Sequence, residues 1–358
     1  MFLKSITLSG FRSFNKKDYF QFDPKFTLII GPNSVGKTNL LESIYFLSKG
    51  NGFRDKKTYE LVSSGQPLCV VEAELSNKDQ ATNLGIKLNQ KDQEVRKSFF
   101  INQLNKTFKQ YSQRTFSVVL FQPEDLLMVN GTPDKRRSYF DRVLAQVGYQ
   151  YYLARQNFSR GLYKRNKILE NQQEYQKPVL LDLLRFWDQY LEEQASVLQK
   201  QRLSLVEAFN TRPSLNGMSF KIMYEQNHFI SSGDAKQLSL ELKNRRTLSG
   251  PQLDDFIFVR LNHTQDKLLS QYGSRSEQRL CVLWLKINEL QYLKEQSGQL
   301  PILLMDDIFS ELDQANSERI LHVSQDYQTI VTTAHLDILP LIEKAGLKMM
   351  GKTITLTP

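Results

Sequence analysis

Short apolar runs separated by polar breaks fill the first third of the chain, a pattern typical of strands joined by turns. Apolar and polar residues alternate from Phe2 to Phe22 around a turn at Gly10–Asn15, which predicts a hairpin. A second apolar run, Phe26–Ile30, leads through a glycine-bounded loop into a helical pattern that includes Leu40–Leu47. This third of the chain is therefore predicted to mix α and β elements.

The middle of the chain changes to a helical period. Between Phe140 and Leu162 the apolar residues recur at steps of three and four, and a second stripe of this kind runs from Leu181 to Leu205. Two successive amphipathic stretches predict an antiparallel helical arm. Later apolar runs, at Phe256–Val259, Leu300–Met305 and Gln328–Ala334, predict a return to strands.

Composition is that of an ordinary globular chain larger than one average domain. The 358 residues are 40% hydrophobic and 11% aromatic. No apolar run approaches the ~18 residues of a membrane helix, and Met1–Phe11 lacks a signal-peptide core, so we expect a cytoplasmic protein without a membrane partner. Cys69 and Cys281 lie in apolar stretches and are expected to be buried, reduced thiols.

Charge favours a polyanionic partner. Lys and Arg number 47 against 38 Asp and Glu, a net charge of +9, and the pI is about 9.3. Between Lys135 and Lys167, nine basic residues accompany a single acid, Asp141. A charged helix face is usually just solvated, but a solvated face normally mixes signs, so we interpret this one as a polyanion contact. The candidate DNA-binding residues are Arg136, Arg137, Arg155, Arg160, Lys164 and Lys167.

The loop after Phe26–Ile30 fits G-x-x-x-x-G-K-[ST] at every fixed position. Gly31 and Gly36 let the backbone curl until its N–H groups point at phosphate oxygens, while Lys37 supplies a compact charge. Thr38 supplies a hydroxyl for Mg²⁺, and the helix that starts there adds its dipole. A chance match in a strand-to-helix turn is the alternative, which the apolar flanks disfavour. The predicted ATP-binding residues are Gly31, Pro32, Asn33, Ser34, Val35, Gly36, Lys37 and Thr38.

Four segments end in polar residues that we expect to meet at one edge of a sheet, where ligands of open α/β sheets bind. Asp306 would hold Mg²⁺ together with Thr38, and Asp307 would orient the attacking water. Lys37 would offset the charge that builds on the γ-phosphate. The catalytic residues predicted in this way are Lys37, Gln122, Asp307 and His335, although a lone histidine at a strand end is more often structural.

Two further motifs leave alternatives open. Arg12 lies in the hairpin turn, where it either reaches a phosphate, as an additional ATP-binding residue, or is a solvated turn residue. Ser274-x-x-Glu277 precedes a helical pattern and is either a capping box or a phosphate contact at a helix N-terminus. The local sequence does not separate these interpretations.

The order of these motifs resembles the ATPase heads of the ABC class, specifically the SMC-like type, and among them the RecF family. The stretches that carry the resemblance are Gly10–Phe14, Pro123–Leu126, Gly131–Asp141 and Leu304–Asp313. The resemblance covers essentially the whole chain. It implies an α/β head with a mixed sheet, formed by residues 1–130 and 250–358 as the ATPase lobe, and an inserted short helical arm or second lobe at residues 131–249.

The resemblance also implies a function. ATP and Mg²⁺ would drive a homodimer in which the signature segment of one subunit meets the γ-phosphate held by the Lys37 loop of the other. The implied partners are duplex, gapped and single-stranded DNA and RecO- and RecR-like mediators, in recombinase loading, replication, repair and SOS induction, with weak ATP hydrolysis as a switch. The signature segment comprises Ser274, Arg275, Ser276, Glu277 and Gln278, and the D-loop comprises Ser310, Glu311, Leu312 and Asp313.

Two departures from the family pattern fall in the signature segment. The family usually has Gly where this chain has Ser276, and Gln where it has Glu277. Added bulk and negative charge beside a partner's phosphate predict a weaker contact between subunits. Two other functions therefore stay open. One is a DNA-binding scaffold whose ATP site binds but barely hydrolyses, and the other is a transporter ATPase subunit, which the basic helical insert disfavours.

Overall fold

A computed structural model describes residues 1–357 with gaps at 55–56, 78–79, 92–93, 213, 216, 263–264 and 348–350. Its strands are β1 (Phe2–Ser9), β2 (Asp18–Gln21), β3 (Phe26–Ile30), β4 (Leu68–Asn77), β5 (Gln80–Lys91), β6 (Glu94–Ile101), β7 (Leu104–Lys106), β8 (Val118–Phe121), β9 (Ser214–Leu215), β10 (Met218–Glu225), β11 (Asp255–Leu261), β12 (Lys267–Leu268), β13 (Ile302–Asp306), β14 (Thr329–Thr333) and β15 (Gly351–Thr355). Its α-helices are α1 (Lys37–Lys49), α2 (Phe108–Ser112), α3 (Leu127–Asn130), α4 (Pro133–Val147), α5 (Tyr149–Glu170), α6 (Lys177–Asn210), α7 (Ala235–Asn244), α8 (Leu269–Tyr272), α9 (Arg275–Ser297), α10 (Gln314–Ser324) and α11 (Leu339–Lys344).

The chain divides into two compact units. The first comprises Met1–Asp125 and Leu285–Pro358, and the second comprises Leu126–Trp284. Residues 250–284 therefore belong to the same compact unit as the inserted helices, whereas the sequence predicts them in the ATPase lobe. The predicted lobes, residues 1–130 with 250–358 and residues 131–249, stay a prediction.

A parallel sheet in the first unit brings the predicted polar strand ends to one edge. Its strand order is β15-β3-β14-β13-β8, and every pair in it is parallel. Strands β13 and β14 are buried along their whole length, as expected for strands covered on both faces. Because parallel strands point the same way, the phosphate loop, Gln122, Asp306 and the segment leading to His335 all follow the same edge. The expected meeting of these segments at one edge is confirmed, but the sheet that carries them is parallel throughout rather than mixed.

A second sheet of the first unit is antiparallel, in the order β2-β1-β4-β5-β6-β7. The predicted hairpin is confirmed, since β1 pairs with β2 from Ser5 opposite Gln21 to Leu8 opposite Asp18. A register shift between Leu3 and Ser5 in the β1–β4 pairing changes the alternation. For this reason Leu3, rather than Phe2, joins the core on the inner face of β1.

The second unit contains the predicted antiparallel arm, built from α5 and α6. The first helical stretch is broken into α4 and α5 at Gly148, whose extended backbone, φ −145°, ends one helix and caps the next. Close packing of the arm favours Gly161, because a Cβ there would lie 3.0 Å from side-chain atoms of both Tyr190 and Leu191. Within the described part of the chain, no helix is long and apolar enough to cross a membrane.

A buried ionic network holds the second unit together. Arg202, 3% exposed, donates to Asp254 at 2.7 Å and to Asp141 at 2.9 Å. Asp254 is fully buried and also accepts bonds from the Tyr224 hydroxyl at 2.5 Å and from the Gln199 amide at 2.9 Å. Each buried charge therefore has opposite charges or donors around it, which such groups need in order to remain ionised.

We predict that Asp254→Ala lowers the free energy of unfolding by about 3–5 kcal/mol, because it leaves Arg202 buried with one carboxylate fewer. Urea unfolding followed by circular dichroism measures the effect. The matched control is Asp182→Ala, which removes an aspartate whose side chain is 76% exposed and pairs with Arg185, and should change stability by about 0.5 kcal/mol or less. Equal losses in the two variants would contradict the assignment.

Candidate nucleotide-binding site

The loop between β3 and α1 has a backbone that favours glycine at two positions. A Cβ on Gly31 would lie 2.5 Å from the carbonyl oxygen of Leu356, and Gly36 has a φ of 104°. Gly36 also precedes α1, which begins at Lys37 without a side-chain cap. The first N–H groups of α1 are therefore left for an anion at the loop.

Lys37 is held inside this loop. It is 8% exposed, and its ammonium donates to the carbonyl oxygens of Gly31 and Pro32 at 2.7 and 2.8 Å. Burial lowers the pKa of Lys37, and the negative charges of Asp307 and Asp306 oppose that shift. The loop therefore presents a positive charge whose position is fixed before any ligand arrives.

Thr38 and Asp306 come together from distant parts of the chain. The Thr38 hydroxyl donates to Asp306 Oδ1 at 3.0 Å, and the Thr332 hydroxyl donates to the same oxygen at 2.6 Å. Burial raises the pKa of Asp306, while these two hydrogen bonds act to lower it. A hydroxyl and a carboxylate are hard oxygen donors of the kind that Mg²⁺ prefers, so the residues present fit the predicted metal.

A cavity of about 300 Å³ lies at the loop. Asp307 lines it and has left-handed backbone geometry, φ 49°, which is uncommon for a residue with a side chain and is often found at functional sites. This location suits a carboxylate that orients water. The lining residues are Asn33, Ser34, Gly36, Lys37, Thr38, Asn39, Arg54, Asp306 and Asp307.

Sequence reasoning missed two residues that line the cavity, Asn39 and Arg54. The Arg54 guanidinium donates to Asn39 at 2.5 Å and to Glu42 at 2.6 Å, and Arg12 donates to the same Glu42 oxygen at 2.9 Å. Glu42 is fully buried; burial would raise its pKa, but the two arginines lower it. Arg12 is thus anchored in an ion pair, whereas Arg54 lines the cavity. Only the fold brings the basic segment after α1 to this position.

Gln122 follows β8 on a loop that a buried lysine holds. The Gln122 N–H donates to Asp125 Oδ2 at 2.9 Å. Lys286, 2% exposed, donates to the Leu120 carbonyl at 2.6 Å and lies 3.1 Å from Asp125. Lys286 therefore fixes both ends of the turn that carries Gln122, a role that its place in an amphipathic helix does not reveal.

His335 lies two residues beyond β14 and is exposed. Its N–H donates to Thr333 Oγ1 at 3.0 Å. The histidine does not line the cavity at the phosphate loop; it lines a neighbouring cavity of about 400 Å³ together with Ser310 and Leu312 of the predicted D-loop. Asp313, also of that segment, accepts a bond from the Asn316 N–H at 2.8 Å and so caps α10.

The signature segment forms the capping box. The Ser274 N–H donates to Glu277 Oε2 at 2.6 Å, and the Glu277 N–H donates to Ser274 Oγ at 3.2 Å. Lys267 donates to Glu277 at 2.9 Å, and Arg260 forms a second ion pair with it. Arg275 and Ser276 are exposed beside this cap. Gln278 points its amide to the Leu269 carbonyl at 2.8 Å.

The predicted effect of the Glu277 charge needs correction. Burial alone would raise its pKa, but the Ser274 N–H and the neighbouring Lys267 and Arg260 lower it to about 2. Its charge is therefore neutralised within the chain, and it does not add an uncompensated negative charge to the segment. Ser276 still adds bulk at an exposed position.

Many bases of the predicted basic face are paired or buried within the chain. Arg136 pairs with Asp255 at 2.7 Å, and Arg137 donates to the Asp254 carbonyl at 2.7 Å. Arg165, counted by sequence among the bases of this face, is fully buried. Two more candidates, Arg155 and Lys167, pair with Asp141 at 3.2 Å and Glu170 at 2.5 Å, which leaves Arg160 and Lys164 exposed without an ion pair among the described residues.

Comparison with known proteins gives the family. A family model described as the RecF/RecN/SMC N terminal domain matches residues 2–353. A DNA replication and repair protein RecF of Natranaerobius thermophilus is 31% identical over 94% of this chain and 92% of its own length. The chain belongs to the RecF family.

Solved structures agree with this assignment. A RecF described as a recombination mediator protein, RecF-ATPrS in the RecFOR pathway, superposes with a TM-score of 0.84 at 28% identity, covering 93% of this chain and 92% of that one. An Smc head domain derived from Pyrococcus furiosus has a TM-score of 0.52 at 16% identity, covering 99% and 93%, and so shares the fold. The predicted SMC-like ABC ATPase head of a RecF protein is confirmed.

We predict that Asp306→Asn raises the melting temperature without ligand by about 2–4 °C, the shift that roughly 1 kcal/mol produces in a large domain. The raised pKa of Asp306 means that the folded chain disfavours its charge at neutral pH, and Asn keeps an acceptor for Thr38 and Thr332. Calorimetry should also show that Mg²⁺ no longer adds to the stabilisation of the variant by ATP. Asp326→Asn, at an exposed position, is the control. A lower melting temperature without ligand would contradict the account.

A second prediction concerns the acid range. Because the folded pKa of Glu277 is depressed from 4.5 to about 2, its contribution to stability is fully present above pH ~4.5 and is lost as the pH falls toward 2. The difference in unfolding free energy between the native chain and Glu277→Gln should shrink over that window in urea titrations. Glu225→Gln, at an exposed position on β10, controls for the loss of one charge. A difference that is independent of pH would rule out the ion pairs as its source.

Proposed function

We propose that this chain is an ATP-gated DNA-binding protein of recombinational repair, in which two copies close over two molecules of Mg·ATP. The observation that carries the proposal is the 3.0 Å contact between Thr38 Oγ1 and Asp306 Oδ1. In nucleotide-hydrolysing enzymes with this loop, such a hydroxyl and acidic residue hold the metal that bridges the phosphates. The solved RecF described as RecF-ATPrS supports a nucleotide at this site.

Each site residue has a separate task in this proposal. The loop N–H groups and Lys37 would bind the phosphates, and Thr38 and Asp306 would hold Mg²⁺, which would supply positive charge to offset that of the phosphates. Asp307 orients the attacking water, whereas Gln122, on its turn after β8, is not among the residues that line the cavity. Arg54 adds a second positive charge at the cavity. Hydrolysis is slow and serves as a switch that releases the dimer.

The DNA part of the proposal rests on charge and family. The net charge of +9 and the exposed bases Arg160 and Lys164 favour phosphate contacts with duplex or gapped DNA. The solved RecF is placed by its description in the RecFOR pathway, which supports RecO- and RecR-like proteins as partners of this chain in the cytoplasm. In this setting the dimer would help load recombinase on a gap.

The alternative of a scaffold that binds ATP but barely turns it over loses one of its two reasons. Glu277 is neutralised by Arg260 and Lys267, so charge repulsion with a partner's phosphate no longer follows from it. The bulk of Ser276 remains as a reason for weak closure. We therefore favour the switch. ATP turnover by the native chain that disappears in Asp307→Asn would exclude the scaffold, whereas a native chain without turnover would contradict the switch.

We predict that Mg²⁺ and ATP convert the 41.7 kDa chain into a dimer in sedimentation velocity, and that duplex DNA affinity rises with it. Lys37→Ala should abolish both changes, because the phosphates lose the charge that the loop holds. Lys16→Ala, an exposed lysine of the hairpin turn, is the matched control and should behave like the native chain. An ATP response that survives in Lys37→Ala would exclude the proposed gate.

A further inference from the structure

The chain turns back along α1 once that helix ends. Gly50 ends the helix with left-handed backbone, φ 72°, which glycine adopts without strain. Phe53 then packs on Tyr45 of α1, with ring centroids 5.4 Å apart at 88°. Arg54 goes further and lines the cavity at the phosphate loop. We call residues 50–54 the return segment, because it carries Arg54 from the far end of α1 back to this cavity.

The middle and the end of the return segment lie against a buried carboxylate of α1. A Cβ on Gly52 would lie 2.8 Å from Glu42 Oε1 and 2.9 Å from Leu61 Cδ2, so a larger residue would have to displace one of these side chains. The Arg54 N–H donates to Glu42 Oε1 at 3.2 Å, and its guanidinium donates to Glu42 Oε2 at 2.6 Å. Glu42 therefore fixes the place where the return segment ends.

Lys97 of β6 holds the start of the return segment. Its ammonium donates to the Gly50 carbonyl oxygen and, at 3.0 Å, to Asn51 Oδ1. The ammonium also lies 5.7 Å from the ring centroid of Phe46. Burial lowers the pKa of Lys97 to about 8, so the group is still mostly charged at neutral pH. A positive charge suits this position, because the carboxyl end of a helix is the negative end of its dipole.

A second side chain binds the same end of α1 without touching the return segment through a hydrogen bond. The hydroxyl of fully buried Tyr111 donates to the Leu47 carbonyl oxygen at 2.7 Å. This bond can be removed while both bonds of Lys97 stay in place. The two side chains therefore separate two roles, the stabilisation of the end of α1 and the placement of the segment that follows it.

We propose that Lys97 is a positioning residue for nucleotide binding, which acts on the phosphates through Arg54. Lys97 and Glu42 hold the two ends of a segment of five residues, so Arg54 has little freedom to leave the cavity before a nucleotide arrives. A guanidinium that is already in place loses less conformational entropy when it binds a phosphate. This role rests on the proposed function for the nucleotide, and it assigns part of the ATP affinity to a lysine that does not line the cavity.

The first measurement follows the return segment in the whole chain without nucleotide. Hydrogen exchange with mass spectrometry reports how well the Arg54 N–H, which donates to Glu42, is protected. Lys97→Met keeps an unbranched apolar side chain and loses the ammonium. We expect exchange in the return segment of this variant to be about tenfold faster, the effect of losing a hydrogen bond from a charged donor. Tyr111→Phe should leave this exchange unchanged.

The second measurement is a double-mutant cycle on the affinity for Mg·ATP, determined by titration calorimetry. Lys97→Met should weaken binding about fivefold in the native chain and less than about twofold in Arg54→Ala, where no guanidinium remains to be positioned. Two matched controls should bind ATP like the native chain. Tyr111→Phe removes the other bond at the end of α1. Lys87→Met removes a half-buried lysine of β5 whose ammonium lies 4.9 Å from the Phe100 ring centroid.

A further variant guards against misfolding of Lys97→Met. Asn51 is exposed, and Asn51→Ala removes only one of the two oxygens to which Lys97 donates. This variant should therefore fold normally. It should speed exchange in the return segment and weaken ATP binding about twofold, and the effect on ATP binding should disappear together with Arg54.

An equal loss of ATP affinity from Lys97→Met with and without Arg54 would overturn the proposal, because a purely structural role predicts that result. Unchanged exchange in Lys97→Met, or the same loss of affinity in Tyr111→Phe, would overturn it as well. Exchange is measured without ATP, so the two proposals can fail separately. Faster exchange in Lys97→Met of a chain that binds no ATP in its native form would support the placement of Arg54 by Lys97 and contradict the proposed function.

Discussion

A hydrogen bond of 3.0 Å between Thr38 and Asp306 joins residues 268 positions apart, and the first unit is arranged around the edge where it forms. Strand β14 lies between β3 and β13, so Thr332 stands opposite Asp306 in the register and donates to it. Parallel pairing brings the loop after β3 and the end of β13 to the same side. A shift of one residue in this register would turn Asp306 to the opposite face of the sheet and separate it from the phosphate loop.

Around that edge, fixed ion pairs hold the neighbouring groups in place. Glu42 is fully buried and binds both Arg12 and Arg54, and Asp125 binds Lys286. Removing one member of such a group leaves a buried charge unpaired, which is why the geometry persists. Arg54 thus reaches the cavity from a segment that has no regular secondary structure, because a buried carboxylate on α1 fixes it.

Ion pairs within the chain also limit what its net charge indicates about binding partners. The chain carries +9, yet Arg136, Arg155 and Lys167 pair with carboxylates of their own unit. Fully buried Arg165 does not contribute to the surface at all. The basic stretch of the sequence therefore overstates the surface available to phosphate. Among the described residues, Arg160 and Lys164 are the candidates that remain exposed without an ion pair.

The sequence predicts the elements whose signal is local. The phosphate loop, the parallel strands and the arm follow from short patterns, and so does the capping box at Ser274. Two features depend on strand pairing and packing rather than on a local sequence pattern. They are the bulge that places Leu3 in the core and the helix break at Gly148. Likewise, Glu277 looked like an added charge because Lys267 and Arg260, on β12 and β11, are brought to it only by the fold.

Lys37 and Asp306 show how the fold prepares the site for a charged ligand. Burial lowers the pKa of Lys37 and raises that of Asp306, so in both cases the folded chain disfavours the charged form. A phosphate beside Lys37 and a divalent cation beside Asp306 would each favour that form. Part of the binding free energy of Mg·ATP would then come from relieving two unfavourable charges that folding has already buried. A site built in this way is expected to couple ligand binding to stability, because the groups that bind the ligand carry charges that burial disfavours.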